Sequence, residues 1–201
     1  MKFRIIWLFI IVPYFTIFFF NRFYHIPQNG YPLIYSYVLV GWLAFEFYLK
    51  NSFFQSGIVD LDKFPYWLRI AAAVYFYGSF VFANFEIENS GGNPMLGLPG
   101  LIILIIGVAV RMKADLDLIN FKKQFIDNGI YQVIRQPTYL GLILISLAMG
   151  LCFNSAVVLL TGIFIGVPLF YWESRLEDGV LAKKDPKYKE YQRRVKYFGL
   201  I

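Results

Sequence analysis

Long apolar runs, rather than any motif, set the limits on what this chain can fold into. Six segments are nearly free of charge and rich in Leu, Ile, Val and Phe: Ile5 to Phe20, Tyr31 to Leu49, Tyr66 to Phe85, Met95 to Val110, Tyr139 to Phe153 and Ser155 to Trp172. A helix of roughly 17–25 such residues crosses a bilayer, where every backbone polar group must be paired within the segment. The composition agrees, being 58% hydrophobic and 16% charged, where an average soluble domain carries about 25% charged residues. The reading is an all-α, polytopic integral membrane protein of one domain, residues 1–201. Transmembrane helices fill 1–110, and 111–201 hold a polar loop, a helical hairpin and a tail.

The residues after the first segment, Asn21-Arg22-Phe23-Tyr24, lack the small-residue pattern of signal cleavage, so that segment reads as a retained helix. Pro32 suits a helix start, whereas Pro13 and Pro168 fall inside segments and predict kinks. Of the 19 Lys and Arg residues, all but Arg22 fall on one side of this arrangement. The positive-inside rule then places both termini in the cytoplasm. The net charge of +6 is read as topology rather than as a nucleic-acid footprint. A single cysteine, Cys152, and a single histidine, His25, exclude an intrachain disulfide and a Cys/His metal cluster.

Only 34 residues separate Tyr139 from Trp172 inclusively, with a turn at Asn154-Ser155. Each arm then reaches about 25 Å, short of a hydrocarbon core about 30 Å thick. These arms predict a hairpin that barely crosses or stops within the membrane. The two polar stretches that flank it, Arg111 to Gln136 and Glu173 to the end, must meet when it folds back.

In the first stretch, Pro137 predicts a helix start that leaves the N–H groups of Thr138, Tyr139 and Leu140 unpaired beside Arg135. Such an end binds carboxylate or phosphate. Alternatively, Arg135 is a topology charge and Pro137 only a start signal. In the second, Glu173 and Glu177 share a helix face and suit ribose hydroxyls or a cation, or else end a solvated helix. Asp185-Pro186 predicts a capped helix carrying Tyr188, Tyr191, Val195 and Phe198 near helical period, an amphipathic interfacial anchor or lid. Glu46 in the second segment is read as paired with Lys50, one turn away. Leu96-Gly97-Leu98-Pro99-Gly100 reads as a helix-entry turn, and no dinucleotide, phosphate-loop, zinc-protease or serine-hydrolase motif is present.

Gly129-Ile130-Tyr131, then Arg135-x-Pro137-x-Tyr139-x-Gly141, then Glu173 to Leu181 and Tyr188-x-x-Tyr191 together resemble the isoprenylcysteine carboxyl methyltransferase and phospholipid methyltransferase superfamily over residues 105–201. Gln136 stands where that family has His or Asn, and its Glu-Glu pair looks like Leu176-Glu177 here. The resemblance implies S-adenosylmethionine as methyl donor, with Arg135 and the helix start meeting its carboxylate. Glu177, with Glu173, would hold the ribose or amino group. Gly129 and Gly141 would admit backbone close to the cofactor, Pro137 would set the helix start, and Tyr131 or Tyr139 would face the sulfonium. Arg135 and Glu177 would be the catalytic residues, and Tyr191 and Arg194 would contact a lipophilic acceptor entering from lipid. That acceptor would be a prenylcysteine-type carboxylate, a lipid amine or a thiol. The rivals are an NADPH-dependent membrane reductase of the sterol or steroid type and a non-enzymatic scaffold or transporter subunit. No metal and no nucleic-acid partner is implied.

Overall fold

The computed structural model describes residues 30–50, 65–87, 94–120 and 127–199. The described residues are mostly helical, joined by short turns, and contain no strand. Helix α1 spans Tyr31–Lys50, α2 Tyr66–Ile87 and α3 Pro94–Asn120. A 3-10 turn, Gly129–Gln132, leads to α4, Pro137–Cys152. Then α5, Ala156–Thr161, passes through a π turn at Gly162–Gly166 into α6, Val167–Lys184, and α7 covers Pro186–Arg194.

Among the described residues, three helical runs are long and apolar enough to cross a membrane: Trp67–Glu86, Met95–Ile119 and Ala156–Lys184. Their length and composition are those of a membrane protein, and the expected six spans reduce to three among the described residues. The expected first segment, with Pro13, lies outside the described residues. α1 is a helix, yet it is interrupted by tyrosines and by Glu46 and is not among the three. α4 is too short, since 16 residues reach only about 24 Å.

The hairpin forms, but only its first arm, α4, is as short as expected: α5 continues through the π turn into α6, so the second arm, Ala156–Lys184, is long enough to cross a membrane. Asn154 takes a left-handed backbone, φ 53°, and the Ser155 hydroxyl caps α5 by accepting from the Val158 N–H at 3.0 Å. The expected kink at Pro168 takes the form of the π turn just before it. Widening the helix there relieves the clash of a proline ring with the preceding turn.

Two boundaries differ from expectation. α3 begins before Gly97, so Gly97 and Gly100 sit inside the helix rather than in an entry turn. It also runs ten residues past Val110, through what reads as the start of a polar loop. Arg111, Asp115 and Asp117 are buried there. A helix can carry them because Arg111 and Asp117 find partners at hydrogen-bonding distance on other elements.

The core lies where α1, α2 and α6 pack around the α3–α4 pair. Tyr35, Phe76, Phe80, Leu104, Leu142, Ile145, Phe153 and Phe170 are all 1% exposed or less. α3 and α4 approach closely at Gly141, where a Cβ would stand 2.8 Å from Arg111 Cβ and 2.9 Å from the Gly107 carbonyl oxygen. Tyr35 ties α1 to α4 by donating to the Ile145 carbonyl at 3.0 Å.

Candidate functional site

The expected convergence of the loop and the tail occurs, with different partners. Pro137 is the first residue of α4, as its chemistry predicts. The Leu140 N–H is not left over, however. It closes the first turn on the Gln136 carbonyl at 3.2 Å.

Beneath this helix start is a buried charge pair that sequence spacing does not announce. The Arg111 guanidinium, fully buried, pairs through Nη2 with Glu46 of α1 and donates through Nη1 to the Thr138 carbonyl at 3.0 Å. Glu46 therefore has a partner on another helix, Arg111, that its local sequence does not indicate. Asp115, one turn beyond Arg111 and 1% exposed, lies within electrostatic reach of it.

The next layer joins α4 to α6. The Tyr139 hydroxyl donates to Glu177 Oε2 at 2.8 Å, and Glu173, one turn before Glu177, is also buried. Glu173 and Glu177 lie within electrostatic reach of each other, and Arg69 and Arg111 within reach of Glu173. Tyr131 shares a hydrogen bond with the Thr138 hydroxyl at 3.2 Å, so its ring edges the same nest. Tyr131, Thr138, Tyr139, Glu173 and Glu177 are each 3% exposed or less.

Asp178 organises the outer layer. It accepts from the Tyr188 hydroxyl at 2.6 Å, from Gln192 Nε2 at 2.9 Å and from Gln136 Nε2 at 3.4 Å, and pairs with Arg135 Nε at 3.4 Å. Asp178 follows Glu177 directly in the sequence, and both are buried, whereas Leu176 supplies no acid. Gln136 takes up the departure from His or Asn as an amide donor to the Asp178 carboxylate.

Arg135 faces the tail. Its Nη1 donates to the Gln192 carbonyl at 2.7 Å, and its guanidinium lies 4.8 Å from the centre of the Tyr197 ring. The Arg135 and Gln136 N–H groups donate to the carbonyls of Lys196 and Tyr197, both at 3.1 Å. The Tyr191 hydroxyl donates to the Tyr131 carbonyl at 2.7 Å, and the Tyr197 and Ser174 hydroxyls bond at 2.6 Å.

α7 starts at Pro186 with Asp185 as its cap, as expected, the Asp185 carboxylate accepting from the Lys187 N–H at 2.9 Å. Its aromatic face does not point to lipid. Tyr188 and Tyr191 pack with Leu181 and Val195, because their hydroxyls find partners inside the chain. Burial pushes the phenols of Tyr131, Tyr188, Tyr191 and Tyr197 above their ordinary range.

The remaining expected site residues have other duties. Gly129 is exposed with φ 62°, a left-handed turn that brings the Ile130 N–H to Asp117 Oδ2 at 3.0 Å. Gly141 serves the approach of α3 to α4. Arg194 is at the surface, paired with Asp127 at 2.8 Å, and stands apart from the nest. Sequence reasoning missed Arg111, Asp115 and Asp178 as members of the site. The available signal was the spacing of Arg111 and Asp115, one turn apart and directly continuous with an apolar helix.

The fold and its buried polar nest define a helical membrane protein with a candidate site where the end of α1, the last turns of α3, the start of α4 and the middle of α6 meet. The family model described as "Protein of unknown function (DUF1295)" matches residues 63–195, and the chain belongs to that family. No curated protein and no solved structure matches the chain.

Proposed function

We propose that this protein transfers a methyl group from S-adenosylmethionine to a lipophilic acceptor at the cytoplasmic face of the membrane, with both termini in the cytosol. The observation that carries the reading is a pair of buried acids beside aromatic rings. Glu173 and Glu177 lie one turn apart, the Tyr139 hydroxyl donates to Glu177, and Arg69 and Arg111 lie within electrostatic reach of Glu173. Buried carboxylates favour a cationic or hydroxyl-bearing ligand, and S-adenosylmethionine offers a sulfonium, an ammonium and a ribose diol.

When bound, S-adenosylmethionine supplies a methyl group activated by its positively charged sulfur. Glu177 and Glu173 would accept from its ammonium or ribose hydroxyls. The rings of Tyr139 and Tyr131 would face the sulfonium. The nest, shut off from water, would hold donor and acceptor near attack distance, which is the main need of an in-line displacement. A carboxylate or thiolate acceptor needs no base, whereas for an amine Glu177 would take the proton; Tyr191 is a neutral phenol that donates to the Tyr131 carbonyl and cannot serve as that base. Arg135 is engaged by Asp178 and the tail, so it meets the donor's carboxylate only by exchanging Asp178 for it.

The test is calorimetric binding of S-adenosylmethionine to the purified protein, with tritiated-methyl transfer to a prenylcysteine, a lipid amine and a lipophilic thiol in separate assays. Glu177→Gln should lose both binding and transfer. A second reading rests on Tyr139, whose phenol bonded to a buried carboxylate is also a proton donor suited to NADPH-dependent reduction of a sterol-type acceptor. Binding of NADPH in place of S-adenosylmethionine would select it. A Glu177→Gln protein altered in stability alone would select a scaffold.

A further inference from the structure

We propose that residues 186–198 form a lid over the polar nest and that Asp178 is the catch that holds it shut. The inference deepens the function proposed above and depends on that reading only for the identity of the ligand.

The argument starts from burial. Tyr131, Thr138, Tyr139 and Glu177 are each 3% exposed or less, so a ligand from water reaches them only after something moves. The elements around them differ in how they are held. α3 and α4 are locked by the Gly141 approach, and α1 is tied to α3 by a buried ion pair. Residues 186–195 are held by a small apolar cluster with Leu181 and by hydrogen bonds that water can replace, while Tyr197 and Phe198 pack on Tyr171 and anchor the segment's end, where it would hinge.

Those bonds converge on one carboxylate. Two partners of Asp178, Tyr188 and Gln192, belong to α7. The other two, Arg135 and Gln136, belong to the approach to α4. The same Arg135 grips the Gln192 carbonyl, and Tyr191 closes over the Tyr131 carbonyl. Removing the charge of Asp178 therefore loosens both sides of the joint at once. Opening also frees Arg135 at the nest's edge, where an anionic group of an incoming ligand replaces Asp178.

The experiment uses the full chain in nanodiscs. In a Cys152→Ala background, Thr138→Cys puts a single thiol under the lid, and its labelling by a water-soluble methanethiosulfonate is followed with hydrogen exchange of residues 186–198. Asp178→Asn is expected to speed both labelling and exchange about tenfold or more, in keeping with the loss of charge-assisted bonds. Tyr188→Phe, which removes one donor, is expected to give a smaller increase and covers the case of an Asp178→Asn protein that does not fold. Asp178→Glu should restore slow labelling in part. Labelling should depend weakly on denaturant, as local opening does. The proposal is overturned if Asp178→Asn or Tyr188→Phe labels at the parent rate, or if labelling occurs only through global unfolding. Added S-adenosylmethionine should slow labelling of the parent. If it does not while the variants behave as stated, the donor assignment fails and the lid stands.

Discussion

Arg111 and Glu46 form an ion pair with 1% and 0% of their side-chain surface exposed, joining two helices 65 residues apart in sequence. Arg111 also holds the Thr138 carbonyl in the first turn of α4, so one guanidinium fixes α1 and the helix that opens the candidate site.

Breaking this pair on one side should be costly. Glu46→Gln leaves the guanidinium buried without its counter-charge, and the expected loss is about 3–5 kcal/mol in denaturant unfolding. The double replacement Glu46→Leu with Arg111→Met should lose less, because both members of the pair leave together, although Asp115 and Glu173 lose the attraction of Arg111. A double variant as unstable as Glu46→Gln would show that the Thr138 bond, rather than the pair, matters.

The Tyr139 hydroxyl is the donor that joins α4 to Glu177. Tyr139→Phe keeps the ring and removes the bond, with an expected cost of about 1.5–3 kcal/mol for a hydrogen bond to a charged group. Melting curves of the two proteins in the same detergent measure it.

Gly141 and Gly129 should fail for different reasons. A methyl at Gly141 meets Arg111 Cβ at 2.8 Å and backbone oxygen at 2.9 Å, so α3 and α4 must part. Gly141→Ala is expected to cost about 1–3 kcal/mol as overpacking. Gly129→Ala strains a left-handed residue by about 1–2 kcal/mol and displaces the Asp117 carboxylate, which a Cβ would meet at 2.2 Å. Exchange of the Ile130 amide, whose N–H that carboxylate accepts, should rise in Gly129→Ala alone.

The buried phenols set the alkaline limit. Tyr131, Tyr188, Tyr191 and Tyr197 are raised by burial, so the folded state keeps protons that the unfolded chain gives up near pH 10. Their contribution is complete below about pH 10 and falls as the pH rises beyond it, since the unfolded chain then binds fewer protons. Tyrosinate absorbance from these residues should appear together with loss of helical circular dichroism. Tyr188→Phe should flatten the pH dependence.

Several local features were legible because neighbours in sequence decide them. Pro137 starts α4, Asp185 caps α7, and the Asn154-Ser155 turn closes a hairpin whose first arm is shorter than a bilayer. Other contacts are decided by a distant partner. Glu46 pairs with Arg111, 65 positions away on another helix, and neither residue's neighbours in sequence indicate it. Asp178 has its partners 10, 14, 42 and 43 positions away on α7 and before α4, and nothing in its own neighbourhood marks it as their meeting point.

What the sequence determined by itself is a helical membrane protein with its polar residues gathered beside a C-terminal hairpin. Hydrophobic length and proline chemistry act over a few turns and need no fold to be read. The tertiary structure decided which charges are buried, which carboxylate meets Arg135 and which face of α7 is covered. Those outcomes depend on desolvation, and how far a group is removed from water is settled only when separate helices pack around it.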